Sequence, residues 1–141
     1  MDEATPRSSE EFRVEENSPR PGTGVLVVHG AVDLHVAGEL RDHLTALSDK
    51  SAALIVDLTE VTFVDSMTLG VLLGALKRAR SADQFFRLVV PHSDLRRTFE
   101  LTLLDRVFDL DSTLDESLAA IAAAEWDIRQ AQQTSEGSLE G

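Results

Sequence analysis

Asp65 and Ser66 stand together where an apolar, strand-like run gives way to leucines at helical spacing. A carboxylate and a hydroxyl at such a junction can cap the helix, because each accepts hydrogen bonds from the unpaired first-turn amides. The hydroxyl can also act as a nucleophile. Hydrolysis would need a positioned base and an oxyanion hole. Ser66 lacks the Gly-x-Ser-x-Gly elbow, and no histidine is placed to serve as its base. Asp57, at the end of another apolar run, could suit an acyl-phosphate receiver. That chemistry needs a magnesium-binding acidic cluster after the first strand and a lysine late in the chain. Val25 to Gly30 ends without such acids, and no lysine follows Lys77. His29, His35, His43 and His92 are scattered; His43 and Glu39 share a helical face, but two ligands are too few for a metal site. The absence of cysteine removes thiol nucleophiles, disulfides and zinc-thiolate sites. No catalytic residue, metal or cofactor is assigned, and the chain reads as a non-enzyme.

The 141 residues have a one-domain length, and such a domain can bury about two-thirds of its unfolded surface. Acidic residues number 25 against 13 basic ones, for a net charge of −12. A nucleic-acid binder offers a basic face that releases counterions. Here only Lys77, Arg78, Arg80 and the Arg96-Arg97 pair supply local positive charge, so direct nucleic-acid binding is disfavoured. Partners should be neutral, basic or matched through apolar surface. Met1 to Glu16 is acidic and polar, without the apolar centre of a signal peptide. The longest apolar runs are too short to span a bilayer. A cytoplasmic protein without membrane contact, monomeric or weakly dimeric, is expected.

These residues must be positioned by the elements around them. Residues 1–11 hold almost no apolar side chains and read as a disordered leader, 12–130 as one domain and 131–141 as a flexible tail. Phe12 to Glu15 alternates like an edge strand, Asn17 to Gly24 is a turn-rich loop, and Val25 to His29 is a buried strand. The two strands make a hairpin. Ala37, Leu40, Leu44 and Leu47 recur at helical spacing. Ala53 to Leu58 is a second apolar strand, followed by a polar break and then Val61 to Val64. Leu69, Leu72, Leu73 and Leu76 mark a second helix, and Phe85 to Val90 a strand halted by Pro91. Leu95, Phe99 and Leu103 outline a short helix capped by Ser93-Asp94, and Val107 to Leu110 a last strand. Ser112 to Glu116 has the spacing of a capping box, opening a helix along Leu114, Leu118, Ile121 and Ile128 in which Trp126 is a packing anchor. Alternating strands and helices imply an α/β fold: a mixed, mostly parallel sheet flanked by helices, with an N-terminal hairpin.

The stretch Leu54 to Leu73 resembles the signature of STAS domains, above all those of the bacterial anti-sigma factor antagonists. The pattern is an apolar strand ending in Asp, then Val-x-Phe-[Ile, Val, Met]-Asp-Ser-[Ser, Ala, Thr]-Gly-Leu-Gly-Val-Leu. Asp57, Val61, Phe63, Val64, Asp65, Ser66, Leu69, Gly70, Val71 and Leu72 fit it. Val27 to Asp33 is similar to the family's strand followed by Gly-Glu-Leu-Asp, and Pro91 to Phe108 to its final helix and strand. The likeness spans residues 12 to 125. It implies that Ser66 is a phosphorylation site, modified by an anti-sigma factor that is itself a serine kinase and reset by a protein phosphatase. It implies that the unphosphorylated domain binds the anti-sigma factor, so regulating transcription. Asp33, Asp65, Ser66, Met67, Thr68 and Gly70 are the partner-binding residues it implies. A STAS interaction module in another signalling scaffold is the alternative.

Three residues depart from the pattern. Met67 replaces a small residue, Thr68 stands where glycine is usual, and Ala31 replaces glutamate. Thr68 thereby offers a second hydroxyl beside Ser66. Gly70 and Gly74 lie four apart inside the helix, at a propensity cost of about 1 kcal/mol each relative to alanine. Close packing of this helix on the sheet is the favoured reason, compatible with a docking groove.

Overall fold

The computed structural model describes residues 11–140, with side chains placed through residue 134; the expected leader therefore lies outside the described residues, Glu11 excepted. The chain opens with an antiparallel hairpin of β1 (Arg13–Arg20) and β2 (Thr23–Val32). The region expected to be a loop is largely strand. Pro21 and Gly22 alone make the reversal, with Gly22 at φ +82°, the combination a type II turn requires. Pro19 is accommodated because β1 is an edge strand whose register slips between Asn17 and Arg20, so its missing donor interrupts no ladder.

The remaining elements are α1 (Ala37–Ser48), β3 (Ala53–Val64), α2 (Ser66–Ser81), β4 (Phe85–Val89), α3 (Ser93–Leu101), a 3-10 turn at Leu104–Arg106, β5 (Leu110–Asp111) and α4 (Leu114–Glu140). The sheet runs in the order β1-β2-β3-β4-β5, and only the β1–β2 pair is antiparallel. Its two faces follow from the alternation of strand side chains. Leu26, Val28, Leu54, Val56 and Leu88 point toward α1, α2 and Phe99 of α3. Val25, Ile55 and Val89 point the other way, onto Leu114, Leu118 and Ile121 of α4.

The polar break expected inside β3 is instead two bulges. β3 carries one extra residue against β2 between Asp57 and Glu60, and another between Val61 and Phe63. Asp57 promotes the first by accepting hydrogen bonds from the Thr59 amide (3.0 Å) and hydroxyl (2.5 Å), which draws the backbone out of the ladder. Each bulge flips the inward set, so burial passes from Leu54, Val56 and Leu58 to Val61 and then Val64. Val64 is thus delivered to the core with Asp65 and Ser66 directly beyond the sheet.

Other boundaries also differ from the sequence reading. α3 starts at Ser93 and its cap position is His92, without a side-chain bond; Pro91 sets the extended entry, leaving Ser93 and Asp94 within the first turn. Leu103 lies outside that helix at φ +63°. Val107 and Phe108 are not strand: Phe108 reaches the core from the turn, and only Leu110 and Asp111 pair with β4. Thr113 and Glu116 form the expected box, with the Glu116 amide donating to the Thr113 hydroxyl (3.1 Å) and the Ser112 amide to the Glu116 carboxylate (2.8 Å). α4 then runs past residue 130 because its Ala, Gln and Glu favour helix without burial. It packs on the sheet through Ile121, and Glu125 still accepts from the Arg20 guanidinium of β1 (2.6 Å); Trp126 turns away from that contact and is no anchor, being 56% exposed with the Arg129 guanidinium 5.7 Å from its ring. Ile128 is exposed as well. Among the described residues no helix is long and apolar enough to cross a membrane.

A charged knot ties β4, β5 and α4 together. Arg87 donates to both Asp111 oxygens (2.6 and 3.1 Å), and the buried Ser117 hydroxyl donates to the same carboxylate (2.6 Å). Burial opposes the charge on Asp111, but the bonds from Arg87 and Ser117 and the Arg87 charge together hold its carboxyl below the usual range. A carboxyl lowered by folding stabilises above its unfolded value and loses that contribution as pH falls through its folded value. Stability to denaturant should therefore decline below pH of about 4. Asp111→Asn should cost roughly 2 kcal/mol at neutral pH and flatten that acid limb. An unchanged limb in urea titrations of the variant would show that Asp111 is not its source.

Candidate functional site

Parallel pairing of β2 and β3 aligns Val32 with Val64, so the loops entering α1 and α2 emerge side by side from one end of the sheet. Gly30 makes the first approach possible. It sits at φ +89°, and a Cβ there would run into the backbone carbonyl of Glu11. Past it, Asp33 organises the turn into α1: its carboxylate accepts the His35 amide (2.9 Å) and its carbonyl accepts the amides of Val36 and Ala37 (3.0 Å each). The cap position Val36 makes no side-chain bond of its own.

On the neighbouring loop, Asp65 is the N-cap of α2. Its carboxylate accepts the Thr68 amide at 2.9 Å. That bond chiefly holds its carboxyl below the ordinary range; loss of hydration opposes it, and the Thr68 hydroxyl and the Leu34 amide add to the lowering. Asp65 therefore stays ionised. The Thr68 hydroxyl shares its proton between the Val32 carbonyl (2.8 Å) and Asp65 (3.0 Å), bolting the two loops together.

Thr68 is only 1% exposed. Its hydroxyl makes structural bonds, and its burial takes it out of the exposed set of partner-binding residues that the resemblance implied. The reason is its position: as the third residue of α2 it turns inward, and a β-branched hydroxyl satisfies a carbonyl that glycine would leave open. Thr68→Val keeps the shape but strands that carbonyl, so thermal unfolding should reveal a loss of about 1–3 kcal/mol. A variant as stable as the parent would show that the bond contributes nothing.

Ser66 is the first residue of α2 and is exposed, with no hydrogen bond from its hydroxyl among the described residues. The same end of the sheet carries large apolar side chains in water: Leu34 after β2 (62% exposed), Phe63 near the end of β3 (54%) and Met67 on α2 (56%). Sequence reasoning missed Leu34 and Phe63. Phe63 was legible as the residue before Val64, whose inward position forces its neighbour outward.

Gly70 and Gly74 do not pack on the sheet. A Cβ at Gly70 would meet nothing within 4 Å, and one at Gly74 only the Arg78 guanidinium at 3.8 Å. The expected packing reason is thus overturned, because the buried arc of α2 belongs to Thr68, Leu69, Val71, Leu72, Ala75, Leu76 and Ala79. The two glycines lie on the outer face beside Ser66 and Met67. The four histidines stay apart: His29 faces Glu15 (3.3 Å), His35 Asp33 (3.4 Å), His43 Glu39 (3.9 Å), and His92 the Thr59 carbonyl (2.9 Å). Of the six implied partner-binding residues, Ser66, Met67 and Gly70 are exposed, Asp33 and Asp65 partly so, and Thr68 is buried.

The chain is similar to known proteins over most of its length. The chain is 34% identical over 68 residues to a homolog of TM1081 from Thermotoga neapolitana, covering 48% of this chain and 60% of that relative's length. It is 32% identical over 101 residues to the anti-sigma-F factor antagonist RsfB of Mycobacterium tuberculosis, covering 71% of this chain and 82% of RsfB. Among solved structures, an anti-sigma factor antagonist from Mycobacterium paratuberculosis superposes with a TM-score of 0.74 at 28% identity, over 82% of this chain and 97% of that one. The family model for the STAS domain matches residues 16–117, from β1 through the first turn of α4 and including the whole Asp65-Ser66 junction; the chain belongs to the STAS domain family.

Proposed function

We propose that this protein is an anti-sigma factor antagonist whose unphosphorylated form binds a serine-kinase anti-sigma factor, and that phosphorylation of Ser66 ends that binding. The observation that carries the reading is the Ser66 hydroxyl, free and exposed on the first turn of α2, at the end of the sheet where Leu34, Phe63 and Met67 are exposed as well. Relatives named as anti-sigma factor antagonists support it.

The physics of the site suits a switch. The kinase would transfer the γ-phosphoryl of ATP to the Ser66 oxygen, the hydroxyl proton leaving to the kinase and ADP departing. The product carries about −1.5 to −2 charges at neutral pH. The free amides and dipole at the start of α2 tolerate that anion with little rearrangement. A partner surface packed over Ser66 does not, and burying the new charge unpaired costs on the order of 2–5 kcal/mol. Binding by the unmodified form releases the sigma factor; a protein phosphatase restores that form. The protein acts in the cytoplasm, without a cofactor, as a monomer or weak dimer.

The test is incubation with host lysate and ATP, followed by mass-spectrometric location of phosphate. Phosphate on Ser66 and none on the Ser66→Ala variant is expected. Modification confined to another residue would overturn the reading.

A further inference from the structure

α1 and α2 start at the same end of the sheet and pack against each other, and a trough runs along their outer side. It measures about 480 Å³ and is lined by Arg41 of α1 and by Ser66, Met67, Gly70, Val71, Gly74 and Arg78 of α2. Ser66, Gly70, Gly74 and Arg78 follow one another at intervals of four, so they form a single stripe along α2. Nothing in the fold demands the two glycines, since alanine would fit at both.

The charge of the trough is opposite to that of the chain. Its lining contains two arginines and no acid, in a protein of net charge −12. Arg13, Arg20, Lys50 and Arg87 each meet a carboxylate. Among the described residues Arg41 and Arg78 have neither an ion pair nor a hydrogen bond. Arg41 lies one turn into α1, level with the Ser66 end, and Arg78 lies at the other. Asp65, next to Ser66, sets one carboxylate at that end against the two cations of the lining, and acids farther off are screened beyond about 8 Å at physiological salt.

We propose that the trough seats an acidic amphipathic helix of the anti-sigma factor, its small or apolar side chains over Gly70 and Gly74 and its carboxylates on Arg41 and Arg78. The proposal rests on the switch reading above and specifies where and by what chemistry the partner docks. A floor without Cβ atoms lets a helix approach closely, and guanidinium forks match carboxylates in two-point contacts. Ser66 closes one end of the trough, so its phosphate would both repel those carboxylates and compete for Arg41.

The experiment titrates the purified anti-sigma factor, identified as the kinase that labels Ser66, into the full chain and its Arg41→Glu, Arg78→Glu, Gly70→Ala and Ser66→Asp variants. Each arginine reversal is expected to weaken binding about tenfold or more and to reduce its salt dependence. Gly70→Ala is expected to weaken binding severalfold although its melting temperature rises by about 3 °C, which separates docking from folding. If the arginine and glycine variants bind like the parent while Ser66→Asp does not, the trough proposal is overturned and the switch stands. If Ser66→Asp also binds like the parent, both are overturned. Self-association of the chain that disappears on arginine reversal, with partner affinity unchanged, would give the trough to a second copy and overturn the proposal.

Discussion

Ser66→Asp is expected to lower affinity for the anti-sigma factor by about 30-fold or more, while Ser66→Ala binds as tightly as the parent and stays bound in the presence of ATP. The size follows from an unpaired charge buried under a partner, on the order of 2–5 kcal/mol, with each 1.4 kcal/mol worth about tenfold. Asp65 adds to the effect because it is already ionised next door, so a partner shaped for one carboxylate meets two. The folded state should not suffer. An acidic residue in the first turn interacts favourably with the helix dipole, by about 0.3–1 kcal/mol, so Ser66→Asp should melt no lower than the parent. Calorimetric titration read beside thermal melts separates the two effects. Lost binding with a lowered melting point would indicate damage to the fold rather than a switch.

Phe99→Ala is expected to be the most destabilising single truncation, about 3–5 kcal/mol, without altering how Ser66 responds to phosphate. Phe99 is the sole buried residue of α3 and is fully enclosed. Its ring meets Phe108 edge-on at 5.6 Å, and Phe108 in turn lies 6.2 Å from Phe86 of β4. Removing it takes away one end of an aromatic trio centred on Phe108 and unpins α3 from the sheet. A domain of this size holds roughly 5–15 kcal/mol in all, so the variant should remain folded near room temperature yet unfold at much lower urea. A loss under about 1 kcal/mol would mean that the site collapses around the deletion. Retained labelling of Ser66 in the folded variant would show that the switch end of the sheet is independent of this core.

The parts of the fold that burial dictates were legible in the sequence. Ala37, Leu40, Leu44 and Leu47 are all buried along α1, as their spacing requires, and Leu69, Leu72 and Leu76 do the same for α2. The Asp65 cap was legible too, because its chemistry is local. What failed was information that depends on neighbours. Trp126 looked like an anchor, but it faces water beside a Glu125 that is tied to Arg20 of β1, and no periodicity marks which face of a helix meets its support. Val107 and Phe108 looked like strand, yet Phe108 is drawn inward from a turn by Phe86 and Phe99. The polar residues after Leu58 looked like a break because the bulges that absorb them need β2 as a ruler.

At the site, the spacing alone held more than was taken from it. At 3.6 residues per turn Gly70 and Gly74 each lie about 160° from Leu72, on the side of α2 away from the sheet. The same count carries the stripe on to Arg78. Arg41 could not be found this way, since its place beside α2 depends on how two helices pack. Thr68 departs from the family pattern in a way that resembles surface chemistry, whereas the Val32 carbonyl it satisfies lies at the end of β2, 36 residues away.

The most direct measurement is the affinity of the anti-sigma factor for the chain carrying stoichiometric phosphate on Ser66, set against the same preparation after phosphatase treatment. Tight binding of the dephosphorylated protein and a loss of about 30-fold or more on phosphorylation is the expected result. Equal affinity for the two forms would contradict the switch.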